Sequence, residues 1–367
     1  MEERKMILRM LDEGKVTSNE AVELLKAVGE TGTVEQKTSA EVTTHTTGDD
    51  NSEQTRQEKQ KEHQKRESST VNKFSGFLDK VITKLKDTDF DLNFGQSLPV
   101  DHVFQENDSP VDRINVQITN GGIQLHPWEE ESVRVECHAT VYRVQTQEEA
   151  KSYFMNNAHF GIESGELKFL VDENKLKVQA HMFVPKKMYE EIQLRTSNGS
   201  ITAADLQTGK VNIRTSNGAV TLNQFEGNSL NASTSNGKIK LENGKWKKTK
   251  LETLNGAIRV DGSYEDVEAE TLNGAITFVL NDANPGKASL KTVAGKIEML
   301  IPEGLKIEGD LKATIGSLNC YLDQVEILKE SKEVVQKRMS FIANHDAPTT
   351  YEIEAEAKTG SISIAKK

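Results

Sequence analysis

A four-residue phrase that recurs at nearly constant spacing constrains the fold of this chain more than any other feature. Five copies read Thr-x-Asn-Gly and a sixth reads Thr-Val-Ala-Gly, and they begin at Thr196, Thr215, Thr234, Thr253, Thr271 and Thr292. The period is about 19 residues, and extra residues fall between the phrases, never within them. A fixed period of this length is typical of repeat architectures in which each unit stacks on the one before it.

The residues around each phrase alternate between apolar and polar. Ile192 and Leu194 precede Thr196, and the same two positions are apolar before Thr215, Thr234, Thr271 and Thr292. Apolar residues resume shortly after each Asn-Gly, as at Ile239 and Leu241. This alternation predicts strands with one buried face, and it places the threonines on that face, where the hydroxyl can bond to the backbone or to the next threonine. We expect the Asn-Gly pairs to supply the positive φ of a tight corner.

Two architectures fit this pattern. Asn-Gly between alternating strands also predicts hairpins, so a meander or blades of hairpins is one alternative. A parallel stack places equivalent residues of successive units about 4.8 Å apart, which favours the same residue at the same place. The sequence therefore favours a mainly β fold, a single-chain parallel β-solenoid (β-helix) with coils of about 19 residues. We predict an internal structural ladder of Thr196, Asn198, Gly199, Thr215, Asn217, Gly218, Thr234, Asn236, Gly237, Thr253, Asn255, Gly256, Thr271, Asn273 and Gly274.

Composition excludes several classes of function. The net charge of −11 and the lack of a basic stripe argue against nucleic acid as a partner. The two cysteines, Cys137 and Cys320, lack metal-ligand or redox spacing. Some parallel β-helices cleave polysaccharides, but that chemistry needs paired carboxylates or a metal cluster, and the recurring polar residues here are Thr, Ser and Asn. We therefore predict no enzymatic activity, no cofactor and no metal.

The first residues predict a small helical module. Residues 1–30 read as a helical hairpin in which Thr17 and Glu20 form the capping box of the second helix. Its apolar positions include Ile7, Leu8, Leu11, Val16, Leu24 and Leu25. A unit of this size is rarely stable alone, so we expect it to self-associate or bind a partner, the alternative being that it packs on its own chain.

A linker and a third helix are predicted next. Residues 31–72 are polar and low in apolar content, which predicts a disordered linker. Residues 73–95 contain an amphipathic helix whose apolar positions are Phe74, Phe77, Leu78, Val81, Ile82 and Leu85. Its apolar face predicts a cap for the open end of the β region or, together with the nearby lysines, a peripheral membrane contact.

The remainder is predicted to be β-rich with two helical insertions. Residues 96–195 form a divergent first part with a coil at Asn120-Gly121 and a helix at Glu148–Asn157, and 196–322 hold the regular coils. Residues 323–338 are predicted to be a polar helical insertion, and 339–367 the closing strands. No signal peptide or long apolar run is recognised, so a cytoplasmic location is expected. Export to the cell surface by an unrecognised route is the alternative.

Several of these motifs resemble a known family. The iterated coils, the Val184-Pro185-Lys186 segment before them and the final Thr359-Gly360-Ser361-Ile362 resemble the bacterial β-strand-repeat domain labelled "putative adhesin". The segment from Met10 to Ala21, followed by Leu24-Leu25, looks like the short helical module at the front of YvlB-like and LiaX-like proteins of Gram-positive bacteria.

This resemblance implies a role in cell-envelope stress, near membrane-sensing regulators of the LiaFSR and phage-shock type. The expectation is a non-enzymatic scaffold or regulatory protein that binds a membrane-associated PspC-type or LiaF-type partner through the β-solenoid. A homo-oligomer through the N-terminal helices is expected as well. The alternative is an exported adhesin, or a protein that binds antimicrobial peptides or envelope polymers. No catalytic residue is implied by the family.

Overall fold

The computed structural model describes residues 96–107, 109–332 and 336–367. These residues are mainly β, and their strands belong to one continuous sheet. The strands are β1 (Ser97–Glu106), β2 (Arg113–Asn120), β3 (Ile123–Trp128), β4 (Val133–Tyr142), β5 (His159–Glu163), β6 (Glu166–Val171), β7 (Leu176–Pro185), β8 (Met188–Asn198), β9 (Ile201–Ala204), β10 (Gln207–Arg214), β11 (Val220–Asn223) and β12 (Glu226–Asn236). They continue with β13 (Ile239–Asn255), β14 (Ile258–Asn273), β15 (Ile276–Leu280), β16 (Gly286–Ala294), β17 (Ile297–Ile301), β18 (Leu305–Ile315), β19 (Leu318–Tyr321), β20 (Val325–Lys332), β21 (Lys337–Ala343), β22 (Thr349–Thr359) and β23 (Ile362–Lys366). The helix of the described part is α1 (Gln147–Asn157).

Two parallel ladders run through the sheet. Ladder A contains, in spatial order, β6, β2, β8, β10, β12, the second parts of β13 and β14, β16, β22 and β18. Ladder B contains β7, β3, β9, β11, the first parts of β13 and β14, β15, β17, β23 and β19. We call a ladder A strand and the ladder B strand that follows it a coil. A tight corner joins the two strands of a coil, and a loose corner leads to the next coil.

The core lies between the two ladders, and the alternation in the sequence accounts for it. Ile192 and Val211 of ladder A, and Ile239 and Ile258 of ladder B, are all buried. Each pairs with its equivalent one repeat away, for example Ile239 with Ile258. Because successive coils supply apolar residues at equivalent positions, with Thr249 as a polar exception in ladder A, the core is a continuous column whose stability comes from contacts between neighbouring coils.

The N-terminal end of the stack is closed by antiparallel strands and a helix. Strand β5 pairs with β6, β4 pairs with β7, and β1 pairs with β4. The helix expected at Glu148–Asn157 is present as α1, whose first turn is capped by the Thr146 hydroxyl and whose Phe154 is buried. The coil that holds Asn120-Gly121 is not the outermost one, because β2 lies between β6 and β8.

The C-terminal end departs from the prediction in the order of its coils. The last strands, β22 and β23, were expected to close the stack, but they lie between β16/β17 and the earlier pair β18/β19. Chain order and spatial order therefore differ here. The outermost coil is the one built from β18 and β19, and β21 pairs with β18 in antiparallel fashion.

The helical insertion predicted at 323–338 is wrong. Val325–Lys332 is strand β20, which pairs with β21 as an antiparallel hairpin. The segment has no clear period of two, because a register shift between Ile327 and Lys329 interrupts the alternation. Its strand conformation depends on pairing with β21, whose Met339 and Phe341 are buried at this end of the stack, and a local pattern does not contain that information.

The predictions for residues 1–30, 31–72 and 73–95 lie outside the described residues. They include the apolar positions Ile7, Leu8, Leu11, Val16, Leu24 and Leu25, and also Phe74, Phe77, Leu78, Val81, Ile82 and Leu85.

Candidate partner-binding groove

The threonines of the repeated phrase form a column at the tight corner. Each hydroxyl donates to the carbonyl oxygen of the glycine one coil earlier. The distances are 2.9 Å from Thr196 to Gly121, 2.9 Å from Thr215 to Gly199, 3.0 Å from Thr234 to Gly218, 3.0 Å from Thr253 to Gly237, 3.0 Å from Thr271 to Gly256 and 2.9 Å from Thr292 to Gly274. The sequence allowed these buried hydroxyls to bond either to the backbone or to the next threonine. In the structure they bond to the backbone.

The glycines of the phrase serve a different purpose from the one predicted. Among the stacked corner glycines, Gly121 and Gly360 have positive φ, whereas Gly199, Gly218 and Gly237 do not. A Cβ on Gly237 would lie 1.9 Å from the carbonyl oxygen of Gly218. Glycine is required because successive corners stack in backbone contact, so the prediction of a left-handed turn at each corner was wrong.

The asparagines form a second column on the surface beside the first. The Nδ2 of Asn217, for example, donates to Oδ1 of Asn198 at 2.8 Å, and the chain of such bonds extends from Asn120 to Asn273. In the next coil Ala294 replaces asparagine, which ends this column. These bonds occupy the polar side chains of the ladder, so the ladder itself offers few free groups for a ligand.

The loose corner on the opposite side carries a less regular row of side chains. Register pairs join Tyr189 to Thr208, Thr208 to Gly227, Gly227 to Trp246, and Trp246 to Tyr264. Large and small residues thus occupy equivalent places in successive coils. The Trp246 ring reaches across its neighbour, since a Cβ on Gly227 would lie 2.5 Å from Cζ3 of the indole.

The small residues of this row leave a groove of about 280 Å³ at the loose corner. Thr208 and Gly227 line it together with the aromatic side chains of Trp246 and Tyr264. Met188, whose surface is 64% exposed, also lines it. Trp246 is fixed from behind by Phe225, with ring centroids 5.5 Å apart at 67°. The groove is therefore a preformed, partly apolar depression.

Charges of both signs line this groove. Glu226 and Glu265 contribute carboxylates, and Lys245 and Lys247 contribute ammonium groups. Burial, with Asp261 as a second cause, raises the pKa of Tyr264, so its hydroxyl is neutral at physiological pH. A mixed rim around an apolar floor suits a peptide or protein segment with an apolar side chain better than a strongly charged ligand.

Metal-ligating side chains, cysteine thiols and apolar helices of the described residues bear on other classes of function. Within residues 96–107, 109–332 and 336–367, no group of three or more His, Cys, Asp or Glu side chains could hold a metal ion. Burial raises the pKa of the Cys137 thiol to about 12, which keeps it protonated and unreactive at neutral pH. No helix in these ranges is long and apolar enough to cross a membrane.

The repeated phrase predicts the ladder, whereas no prediction from the sequence covers the groove. The ladder positions have identical residues at a fixed period, whereas the groove positions are Tyr, Thr, Gly, Trp and Tyr. A usable signal existed, namely small residues at the coil position where other coils have a large aromatic one. The expected self-association residues and the expected membrane-contact residues lie outside the described part of the chain.

Comparison with known proteins identifies the family. The family model described as Toastrack DUF4097 matches residues 111–365. The chain belongs to this Toastrack family. A model described as a SHOCT-like domain matches residues 2–32. The uncharacterized protein YvlB of Bacillus subtilis is 35% identical over 366 residues, which cover 99% of this chain and 98% of that protein. The resemblance to the YvlB-like, "putative adhesin" β-repeat proteins is confirmed.

Solved structures related to the Toastrack region are more distant. A Bacteroides fragilis protein described as a "putative adhesin" has 13% identity and a TM-score of 0.41, with coverage of 73% of this chain and 97% of its own. A Parabacteroides distasonis protein described as a "putative lipid binding protein" has 11% identity and a TM-score of 0.32, with coverage of 73% and 96%. At these identities and TM-scores the two structures say nothing about what this chain binds.

Proposed function

We propose that this Toastrack protein is a non-enzymatic scaffold or regulator of the bacterial cell-envelope stress response. Its coils form a parallel β-solenoid that presents the loose-corner groove to a membrane-associated partner of the PspC or LiaF type. The groove is the observation that carries this proposal. It is the place where the described stack combines a depression, an apolar floor and a polar rim.

The groove fits a protein segment for reasons of size and chemistry. Its volume of about 280 Å³ is near the lower end for ligand pockets and holds one or two side chains. Met188 extends the apolar surface beyond the groove, which would let a partner bury more area than the groove alone provides. Glu226 and Lys245 on the rim would select partners with complementary charges.

Residues outside the described part are assigned the remaining roles in this proposal. The SHOCT-like segment at 2–32 self-associates or makes a second contact with the partner, and the segment from Phe74 to Leu85 supplies a peripheral membrane contact. In this proposal the protein acts in the cytoplasm next to the membrane. The proposal needs neither nucleic acid nor a cofactor.

The test combines fractionation with groove variants. Host cells are separated into cytosol, membrane, wall and medium, and partners are captured by crosslinking and mass spectrometry from the fraction that holds the protein. We expect recovery with the membrane fraction and a membrane-protein crosslink that Met188→Glu and Lys245→Glu abolish. Leu300→Glu is the matched control, because Leu300 is 37% exposed and lies outside the groove lining.

Two results would contradict the proposal. Recovery of the protein only in the wall or medium would indicate an exported adhesin, the alternative function. A partner that is captured equally by the wild type and both groove variants would show that the groove is not the contact site. Thermal unfolding of each variant confirms that the coils are intact before capture is compared.

A further inference from the structure

The outermost strand at the C-terminal end of the stack has an unusual free edge. Strand β20 pairs with β21 along one edge, and no other strand of the described part of the chain pairs with it. Ile327 is 50% exposed and Leu328 is 58% exposed, side by side in the middle of an eight-residue strand. The register shift at this point, where Leu328 is the extra residue, accounts for two adjacent apolar side chains facing solvent.

We propose that β20 pairs in antiparallel fashion with β20 of a second copy of this chain, across a two-fold axis. In an isologous contact every pair occurs twice, so the strand must be complementary to its own reverse. The register that sets Ile327 opposite Leu328 of the other copy also sets Glu326 opposite Lys329. The two central pairs are then apolar, and the pairs that flank them carry opposite charges, which is the favourable arrangement for cross-strand neighbours.

Other features of this end favour a second copy over solvent. Edge strands are usually protected by charged side chains and by bulges that turn the edge away, and here the bulge instead presents two apolar residues. The outermost coil adds Ile315 and Tyr321, which are each 65% exposed. At the opposite end of the stack, the exposed large apolar residues of the described part are Val103 of β1, at 46%, and Met155 of α1, at 38%. The apolar surface is therefore concentrated at the end where β20 lies.

The interface is small, which sets the strength expected of it. Eight residues per strand bury less than the roughly 1,200–2,000 Å² of a standard interface, so we expect a dissociation constant of about 10 µM rather than nanomolar. This association is independent of the groove and of the N-terminal module. The dimer would carry two copies of the loose-corner groove and could therefore bind two copies of a partner.

Charge reversal in the full-length chain tests the pairing. Sedimentation velocity from about 1 to 200 µM is expected to show a dimerisation step for the wild type. Glu326→Lys places a lysine opposite Lys329 of the other copy, and Lys329→Glu places two carboxylates opposite each other. Each single variant should weaken that step at least about tenfold, and the double variant should restore it to within about threefold of the wild type. Ile327→Lys should also abolish it.

The controls separate this contact from others. Val103→Lys changes an exposed apolar residue of β1, at the opposite end of the stack and outside the groove, and should leave the step unchanged. A wild type that stays monomeric to about 200 µM would overturn the proposal. So would association that survives Ile327→Lys, or a double variant that is no better than the singles, since either would place the contact elsewhere. Unchanged thermal unfolding shows that each variant is folded.

Discussion

The middle of the stack and its C-terminal end use the same coil but connect it differently. From β8 to β17 each coil packs on the coil that precedes it in the chain. At the C-terminal end, β22 and β23 lie between two coils whose strands all come earlier in the chain. Corner contacts show the same order, because a Cβ on Gly316 would meet the carbonyl oxygen of Gly360, and one on Gly360 would meet that of Gly295.

This difference separates local from long-range determinants of the fold. In the middle, a repeat needs only its sequence neighbours, so stability accumulates one interface at a time. The coil of β18 and β19 instead reaches the stack through β22 and β23, the last strands of the chain. We therefore expect the final residues to be far more important for stability than a C-terminal tail usually is.

The largest effect is expected when the inserted coil is removed. Truncation after Asp346 deletes β22 and β23, which leaves β19 without the strand that pairs with it. Residues 305–343 should then detach, with a loss of more than about 5 kcal/mol for that part of the stack. Hydrogen exchange of this region measures the loss directly.

A control for the truncation lies on the inserted strand itself. Glu352 on β22 is exposed, so Glu352→Ala should change stability by no more than about 0.5 kcal/mol. Protection of residues 305–343 that survives the truncation would show that the outermost coil holds to the stack without β22 and β23.

A buried charge in the middle of the stack is expected to be nearly as damaging. Ile258 is 1% exposed and stacks between Ile239 and Ile276. Ile258→Asp should destabilise the stack by about 4 kcal/mol, because an unpaired carboxylate would lie in the apolar column. Denaturant unfolding provides the measurement. Arg259→Gln, the adjacent solvent-facing change, loses one exposed ion pair with Asp261 and should cost less than about 1 kcal/mol.

A smaller effect is expected at the stacked corner glycines. Gly237→Ala should cost about 3 kcal/mol, because the Cβ would lie 1.9 Å from a backbone oxygen that has little room to move. Gly161→Ala is the matched change, since a Cβ there meets nothing within 4 Å. If corner glycines were needed for φ alone, the two variants would be equally tolerated, as neither residue has positive φ. Thermal unfolding of the pair distinguishes these explanations.

The sequence predicted the features that depend on neighbouring repeats and did not predict those that depend on long-range pairing. The period located the corners, the buried strands and the stacked threonines, because each depends on residues one repeat apart. The insertion of β22 depends on pairing across the outermost coil, and no local pattern encodes it. The groove was not predicted for another reason. Gly227 and Trp246 occupy equivalent positions and are complementary in size, but they are not the same residue, so they do not appear in a search for repeats. Strand β20 was mistaken for a helix because its bulge removes the alternation.

The smallest change in stability is expected at two buried threonines of the middle coils. Thr234 and Thr249 are each 4% exposed, but the Thr234 hydroxyl donates to Gly218 at 3.0 Å, whereas the Thr249 hydroxyl has no hydrogen-bond partner. Valine has nearly the same shape, so Thr234→Val should cost about 1–2 kcal/mol by leaving the Gly218 carbonyl without that donor. Thr249→Val should be neutral or stabilising by up to about 1 kcal/mol, since Leu230 and Val267 flank it in ladder A. Equal losses for the two variants in denaturant unfolding would mean that the threonine column contributes packing alone, and that its hydrogen bonds add nothing to the stack.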